Sequence, residues 1–184
     1  MNGNIGERMG NRDSIMAPHG CYRCVGAEDA WVTVAVAGEK EWKAFCHILG
    51  NPQWVNKPEF SDELSRWKNQ DQLDKYVEEW TLKHRPYEIT EMLQKEGIMA
   101  GPSLSTKQLV EDRHMKEREF FVEGQHPVLG KVLVAGLPWK LNDCPEGNYS
   151  VSPLLGEHND YIFGQLLGLT PEELNSCREE KVFL

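Results

Sequence analysis

The residues best suited to chemistry are two cysteines near the N-terminus. Cys21 and Cys24 have the CxxC spacing of a redox dithiol or of half a zinc site, and Cys46 with His47 could complete four zinc ligands. A redox CxxC pair belongs at a helix N-terminus, whereas these cysteines lie in a strand pattern that directs their side chains to opposite faces. Structural thiols are therefore the favoured interpretation, and a zinc or redox protein is the weaker alternative.

A second candidate lies near the C-terminus, where Glu157, His158 and Asp160 bring two acids and an imidazole together. Such a set could serve general acid–base catalysis, but acidic residues at this spacing also begin a helix. The capping interpretation is favoured. Phosphate-binding glycine loops, a serine nucleophile elbow and an HExxH motif are all missing from the sequence. The residues alone predict no catalytic residue and no metal site.

Composition narrows the possible partners. The chain has 184 residues, of which 40% are hydrophobic, and a net charge of −9. An acidic chain is unsuited to non-specific nucleic-acid binding. Neither a membrane-spanning run nor the apolar region of a secretory signal is present, and the five cysteines are too scattered to suggest disulfides. We expect a cytoplasmic protein with reduced thiols, and neither nucleic acid nor membrane as a partner.

The order of predicted elements indicates a mixed α/β (α+β) fold. Strand patterns cover residues 20–25 and 30–36, with a turn at 26–29 between them. Helical periodicity covers 41–49, 64–80 (as one helix or two) and 86–96, whereas 51–61 is predicted as a loop. Residues 97–102 are predicted as a strand or turn, 105–119 as a helix, 120–135 as a hairpin, and 157–167 and 171–180 as closing helices.

Taken in order, a series of short segments resembles a known family. The segments are 16–20, 31–36, 41–42, 58–60, Arg66, Asn69, 80–81, 97–102, 126–127, 138–139, 153–160 and 167–170. They resemble the C-terminal half of the class III CoA-transferases, the CaiB/BaiF family, which includes formyl-CoA and carnitine CoA-transferases. The segments 97–102 and 153–160 are the most specific of the series.

The resemblance implies a fold and a division of the chain. Family members are about twice as long and consist of a large Rossmann-like domain and a small α/β domain, assembled into interlocked dimers. On that pattern residues 1–19 form an arm or linker and 20–115 the small α/β domain. Residues 116–184 form a hairpin and helices that return to the large domain.

The resemblance also implies a chemistry. The family uses an aspartate nucleophile that attacks an acyl-CoA thioester and passes CoA to a carboxylic acid through covalent intermediates. That aspartate lies in the N-terminal half, so no residue here is assigned as catalytic. The loop before the first small-domain strand covers the reacting acyl group, and its matching positions Ile15, Met16, Ala17 and Pro18 are predicted to bind substrate. Gly38 matches the position that carries a glutamate in the related racemases, and it is also predicted to bind substrate.

We therefore expect a portion of a class III CoA-transferase that is inactive alone, with coenzyme A as substrate and no cofactor. An N-terminal half or a second copy is the expected protein partner. The alternative is a binding or assembly module that retains the fold without the reaction. In either case, surface that packs on the rest of the family fold should be an exposed apolar patch. Tyr161, Ile162, Leu166 and Leu169 are its candidates.

Overall fold

A computed structural model of the chain describes residues 3, 6, 8–26, 29–143 and 150–183, so Cys144 and part of the predicted turn at 26–29 lie outside it. The chain divides into two compact units, Met1–Thr106 and Lys107–Leu184. The sequence-based division at residues 19 and 115 stays a prediction. Within the described ranges no helix combines the length and apolar character that crossing a bilayer requires.

The first unit is built on a three-stranded antiparallel sheet in the order β1-β2-β3. Its strands are β1 (His19–Arg23), β2 (Trp31–Ala35) and β3 (Met99–Ser103). In the central strand Thr33 lies opposite Cys21 on one side and Gly101 on the other. Val32 and Val34 are buried while Thr33 between them is exposed, which is the alternation typical of a half-buried strand.

The described residues of this unit form the helices α1 (Glu39–Ile48), α2 (Glu63–Lys68), α3 (Gln70–Thr81) and α4 (Pro86–Lys95). Gly50 and Gly97 follow α1 and α4 with φ of 83° and 78°, the left-handed conformation in which glycine ends helices. The pattern at 64–80 forms two helices, separated at Asn69, whose side-chain amide donates to Ser65 O (2.8 Å). The predicted loop at 51–61 instead contains two 3-10 turns, because Pro52 and Pro58 begin short turns there.

The core lies between the sheet and the helices, since α3 packs on β1 and α4 packs on β2 and β3. Its fully buried side chains include Val32, Phe45, Phe60, Leu73, Val77, Ile89 and Leu93. Aromatic rings line the same core, and Trp54 stacks on Tyr76 with ring centroids 4.7 Å apart. Each fully buried large apolar side chain contributes about 1.5–3 kcal/mol to folding.

Among the described residues of this unit, Arg66 is a charged side chain that is buried in the core. Arg66 of α2 is 1% exposed, and its guanidinium donates to Phe60 O (3.2 Å) and to the carboxylate of Glu39. The guanidinium carbon also lies 4.5 Å from the centroid of the Trp42 ring. Arg66 therefore ties α2 to the first turn of α1.

The second unit has a hairpin and short helices. Its elements are α5 (Thr106–Glu111), α6 (Arg113–Glu117), β4 (Phe121–His126), β5 (Gly130–Ala135), a π-helical segment (Asp160–Leu166) and α7 (Pro171–Glu179). The helix predicted at 105–119 is broken at Asp112, whose carboxylate accepts from Met115 N (3.0 Å) and begins α6. The predicted hairpin is confirmed. The helix α7 begins with a capping box of Thr170 and Glu173.

Apolar side chains of the second unit are largely exposed. Among the residues described there, Leu174 is the one that is buried. The exposed fractions of Tyr161, Ile162 and Leu166 are 48%, 38% and 61%, so these three side chains are exposed as predicted. Leu169 is half-buried.

We expect Arg66→Leu to lower the free energy of unfolding by about 2–4 kcal/mol, because it leaves Phe60 O and Glu39 without their donor. Urea denaturation followed by circular dichroism measures the change. Lys68→Leu, on the exposed side of the same helix, is the matched control and should change stability by less than about 0.5 kcal/mol. A loss below about 1 kcal/mol for Arg66→Leu would contradict this role.

We expect the chain to self-associate through the apolar patch when it is purified alone. Sedimentation velocity should show a dimer whose dissociation constant rises at least about tenfold in the double variant Ile162→Ser, Leu166→Ser, equivalent to about 1.4 kcal/mol. Leu64→Ser removes an equally exposed leucine from the first unit and should leave the association unchanged. A strictly monomeric chain at high concentration would refute the prediction.

Candidate functional site

The loop that contains the predicted substrate-binding residues is held by Asp13. The Asp13 carboxylate accepts hydrogen bonds from Ile15 N (2.8 Å) and Met16 N (2.9 Å). The backbone carbonyl of Asp13 accepts a hydrogen bond from Trp67 Nε1 (2.9 Å). The N–H groups of Met16 and Ile15 lower the pKa of the Asp13 carboxyl. Asp13 therefore acts as an ionised cap that shapes the loop.

Within this loop the predicted residues differ in exposure. Ile15 is 68% exposed and Met16 is half-buried, so both can contact a ligand. Ala17 and Pro18 are buried, and Pro18 O accepts from Val36 N (3.0 Å) just after β2. Their side chains therefore anchor the loop to the sheet, and only the first half of the segment presents side chains outward.

Gly38 lies near the same anchor point. It precedes α1, and its carbonyl accepts from Trp42 N (2.8 Å). Its extended backbone (φ −163°, ψ 179°) is one that any residue adopts. The backbone hydrogen bond from Val36 N to Pro18 O brings the turn of Gly38 and the loop of residues 15–18 to the same end of the sheet. Their assignment to substrate stays a prediction.

Sequence reasoning missed a cleft of about 500 Å³ on the sheet face opposite the core. His19 and Cys21 of β1, Thr33 and Ala35 of β2, and Met99 and Gly101 of β3 line it, together with residues 10 and 11 of the preceding segment. The volume is within the range of small-molecule sites. The alternation of side chains in β1 and β2 could have identified the residues that face outward. The pairing of β2 with β3 joins segments far apart in the sequence, so no short stretch of sequence predicts it.

Basic residues near this face are engaged with the protein itself. Arg12 forms ion pairs with Asp71 (2.6 Å) and with Asp74 on α3. Asp74 also accepts a hydrogen bond from the buried Tyr22 hydroxyl (2.7 Å). The pKa of Tyr22 is raised, first by burial and second by the adjacent Asp74 carboxylate. The guanidinium carbon of Arg23 lies 5.5 Å from the Trp31 ring centroid. Arg12 and Arg23 therefore have structural roles in these contacts.

The CxxC cysteines do not converge. Cys21 faces outward in β1, whereas Cys24 is buried behind the strand and Cys46 is buried on α1 beside an exposed His47. Across the described ranges, no three His, Cys, Asp or Glu side chains form a group that could hold a metal ion. Burial raises the pKa of Cys24 to about 11 and that of Cys46 to about 11.

The acidic cluster near the C-terminus makes local contacts, but it does not supply the predicted helix cap, because the segment Asp160–Leu166 has no side-chain cap hydrogen bond. Glu157 accepts from Leu154 N (2.6 Å), which satisfies a backbone donor before the π-helical segment. Asp160 forms an ion pair with Arg178 of α7. His126, the last residue of β4, accepts a hydrogen bond from Leu129 N (3.0 Å) through Nδ1.

Comparison with known proteins places the chain among CoA-transferases. The model of the family described as CoA-transferase family III matches residues 1–159. A formyl-CoA:oxalate CoA-transferase of Rhodopseudomonas palustris (strain BisB18) is 32% identical over 170 residues, which are 91% of this chain and 39% of the relative. The Streptomyces avermitilis formyl-CoA:oxalate CoA-transferase is 33% identical over 176 residues, which are 95% of this chain and 42% of the relative.

Solved structures agree on the mixed α/β fold. A CaiB/BaiF family protein from Brucella suis superposes with a TM-score of 0.70 at 24% identity, covering 90% of this chain and 42% of that one. Rv3272 from Mycobacterium tuberculosis gives a TM-score of 0.64 at 23% identity, covering 79% and 40%. The chain thus spans about two fifths of the proteins that it matches.

The raised thiol pKa values predict that stability falls as pH rises from about 9 to 11. Below pH 9 the thiols are protonated in both states, whereas above it the unfolded chain loses protons that Cys24 and Cys46 retain when folded. Urea unfolding under reducing conditions, repeated at a series of pH values, measures the slope of the free energy of unfolding against pH. The double variant Cys24→Ala, Cys46→Ala should reduce the slope between pH 9 and 10, below the range in which Tyr22, whose pKa is also raised, contributes. An unchanged slope there would contradict the assignment.

Proposed function

Because the chain belongs to CoA-transferase family III, we propose that it is the C-terminal portion of an enzyme that moves CoA from an acyl-CoA thioester to a carboxylic acid. The observation that carries this proposal is the alignment of 91% of the chain with a formyl-CoA:oxalate CoA-transferase at 32% identity. Formyl-CoA and oxalate are therefore the first substrate pair to test.

In this proposal the described residues position substrate and do not attack it. Asp13 is the acid closest to the predicted substrate loop, but two N–H groups occupy its Oδ1 and lower its pKa. Such a carboxylate is a weaker nucleophile than an unbonded one, because attack would break both hydrogen bonds. The nucleophile then comes from the family segment that this chain does not align with.

Ile15 and Met16 are the residues proposed to face the acyl group. Their backbone N–H groups are fixed by Asp13, so the loop is ordered before substrate binds. Preorganisation reduces the entropy lost when a reacting group is held in place. Gly38, at the same end of the sheet, leaves space where a side chain would otherwise stand.

The N-terminal portion of the family fold is the proposed partner, whether joined to this chain or separate from it. Relatives extend well beyond the aligned region, since the chain covers 39% of one and 42% of another. The exposed apolar surface of the second unit supports this partner, because large exposed patches mark interfaces.

We expect CoA exchange only when the chain is co-expressed with an N-terminal family segment encoded beside it. The assay follows formyl-CoA consumption and oxalyl-CoA formation by chromatography, with other acyl-CoA and acid pairs as a second panel. Replacing the partner's nucleophilic aspartate with alanine should reduce exchange by at least about 10³-fold, as loss of a covalent nucleophile does.

Two outcomes would overturn the proposal. Exchange by this chain alone would show that it supplies its own nucleophile. A stable complex with the N-terminal segment that exchanges no CoA with any pair would instead favour a non-catalytic assembly module.

A further inference from the structure

The two outer strands of the three-stranded sheet differ in how their free edges are treated. Within the described sheet, β1 and β3 are outermost, so each has one edge that pairs with no further strand. Such an edge presents backbone N–H and C=O groups that can pair with another chain, and natural proteins usually block it. An edge that is left open is therefore a candidate interaction surface.

One hydrogen bond identifies the backbone groups of β1 that face its free edge. Cys24 N donates to Ala30 O (2.8 Å) in continuation of the pairing between β1 and β2. Hydrogen-bonded and non-hydrogen-bonded residues alternate along an antiparallel pair. The N–H and C=O groups of His19, Cys21 and Arg23 therefore point away from β2, towards the free edge.

Most of this edge is open. Arg23 O is covered, because it accepts a hydrogen bond from Thr81 Oγ1 of α3 (2.7 Å). The backbone groups of His19 and Cys21 that face the edge have no hydrogen-bond partner among the residues that the structure describes. These two residues define the open edge of β1.

The free edge of β3 is blocked by contrast. Thr33 of β2 lies opposite an odd-numbered residue of β1, so its backbone groups point to its other partner, Gly101. Ala100 and Pro102, on either side of Gly101, therefore face outward. Ala100 O accepts a hydrogen bond from Gln94 Nε2 of α4 (2.8 Å), and Pro102 has no N–H to donate. A further strand cannot pair regularly with β3.

A groove of about 280 Å³ follows the open edge of β1. Residues 19–22 line one side of it, and Asp74, Lys75 and Glu78 of α3 line the other, together with residues 11–12. A chain segment in this groove would lie between the strand edge and the helix. The groove therefore offers backbone pairing on one side and side-chain contacts on the other, the combination by which an added strand is recognised.

The helical side of the groove is acidic and already binds one basic side chain. Arg12 forms ion pairs with Asp71 (2.6 Å) and Asp74 (2.5 Å). Glu78, one turn further along α3, is half-buried and forms no ion pair with any residue that the structure describes. Lys75 is exposed, so its ammonium group can remain in water. The carboxylate of Glu78 is thus available to a second cation.

We propose that the open edge of β1 binds an extended peptide segment of a protein partner, with a basic side chain beside Glu78. The backbone of the segment pairs with the N–H and C=O groups of Cys21, and its Arg or Lys pairs with Glu78 as Arg12 pairs with Asp74. The same edge of a second copy fits less well, because it would bring two acidic α3 helices together. This proposal does not rest on the proposed function.

Two pairs of variants separate the edge from the rest of the fold. Cys21→Pro removes the N–H that faces the edge and keeps every hydrogen bond to β2, and proline is tolerated at such positions of outer strands. Cys21→Val keeps the N–H and is its matched control. Glu78→Gln removes the charge in the groove, whereas Glu79→Gln removes the next carboxylate of α3, which is exposed outside the groove.

The test is an amide NMR titration of the isotope-labelled full chain with the peptide acetyl-Thr-Val-Arg-Val-Thr-amide. We expect a Kd on the order of 1 mM, with the largest shifts at His19 and Cys21, and at least about tenfold weaker binding when Glu replaces Arg in the peptide. Cys21→Pro should weaken binding at least about fivefold and Glu78→Gln about threefold. Both controls should stay within about twofold, and circular dichroism checks that each variant is folded.

Absence of binding to the wild type, or equal binding to folded Cys21→Pro and Cys21→Val, would overturn the proposal. Equal binding of the Arg and Glu peptides would also overturn it, because the groove would then not select a basic segment. The comparison of Glu78→Gln with Glu79→Gln keeps the test decisive if Cys21→Pro does not fold. Sedimentation velocity in which Cys21→Pro, and not Cys21→Val, dissociates the chain would assign the edge to a second copy and overturn the proposed partner.

Discussion

The burial of the Arg66 guanidinium is the constraint on which the first unit depends. A charged group in a core is costly unless most of its donors are matched. Here Phe60 O and the Glu39 carboxylate accept from the two terminal nitrogens and the Trp42 ring lies against the guanidinium, whereas the buried Arg66 Nε has no hydrogen-bond partner. A cation over a desolvated aromatic ring contributes about 2 kcal/mol to stability. The ion pair with Glu39 in addition orients the Arg66 guanidinium. These contacts hold α2 against the first turn of α1.

The residue after Arg66 extends the same constraint to the candidate site. Trp67 Nε1 donates to Asp13 O, so α2 holds the loop of residues 13–18 as well as the first turn of α1. The loop is then joined to the sheet by the bond from Val36 N to Pro18 O. Two adjacent residues of one short helix thus position both segments predicted to face substrate, which explains how a site made largely of loops can be ordered.

The two units differ in how completely they bury their apolar residues, and that difference agrees with the family comparison. The first unit encloses a core between the sheet and its helices, whereas the described part of the second unit buries only Leu174. A two-stranded hairpin with short helices has too little surface to enclose a core alone. The N-terminal partner proposed above would supply surface against which these exposed apolar residues could pack.

Local sequence determined most elements of the chain, since strand alternation, helical periodicity, Gly50, Gly97 and the Thr170 cap each act within a few residues. The ordered series of family motifs also identified the family. Tertiary structure alone decided that Met99–Ser103 pairs with β2, that Arg66 is buried, and that His19, Thr33 and Gly101 share one cleft. These features join residues far apart in the chain, and their free energy comes from burial and pairing that no local window contains.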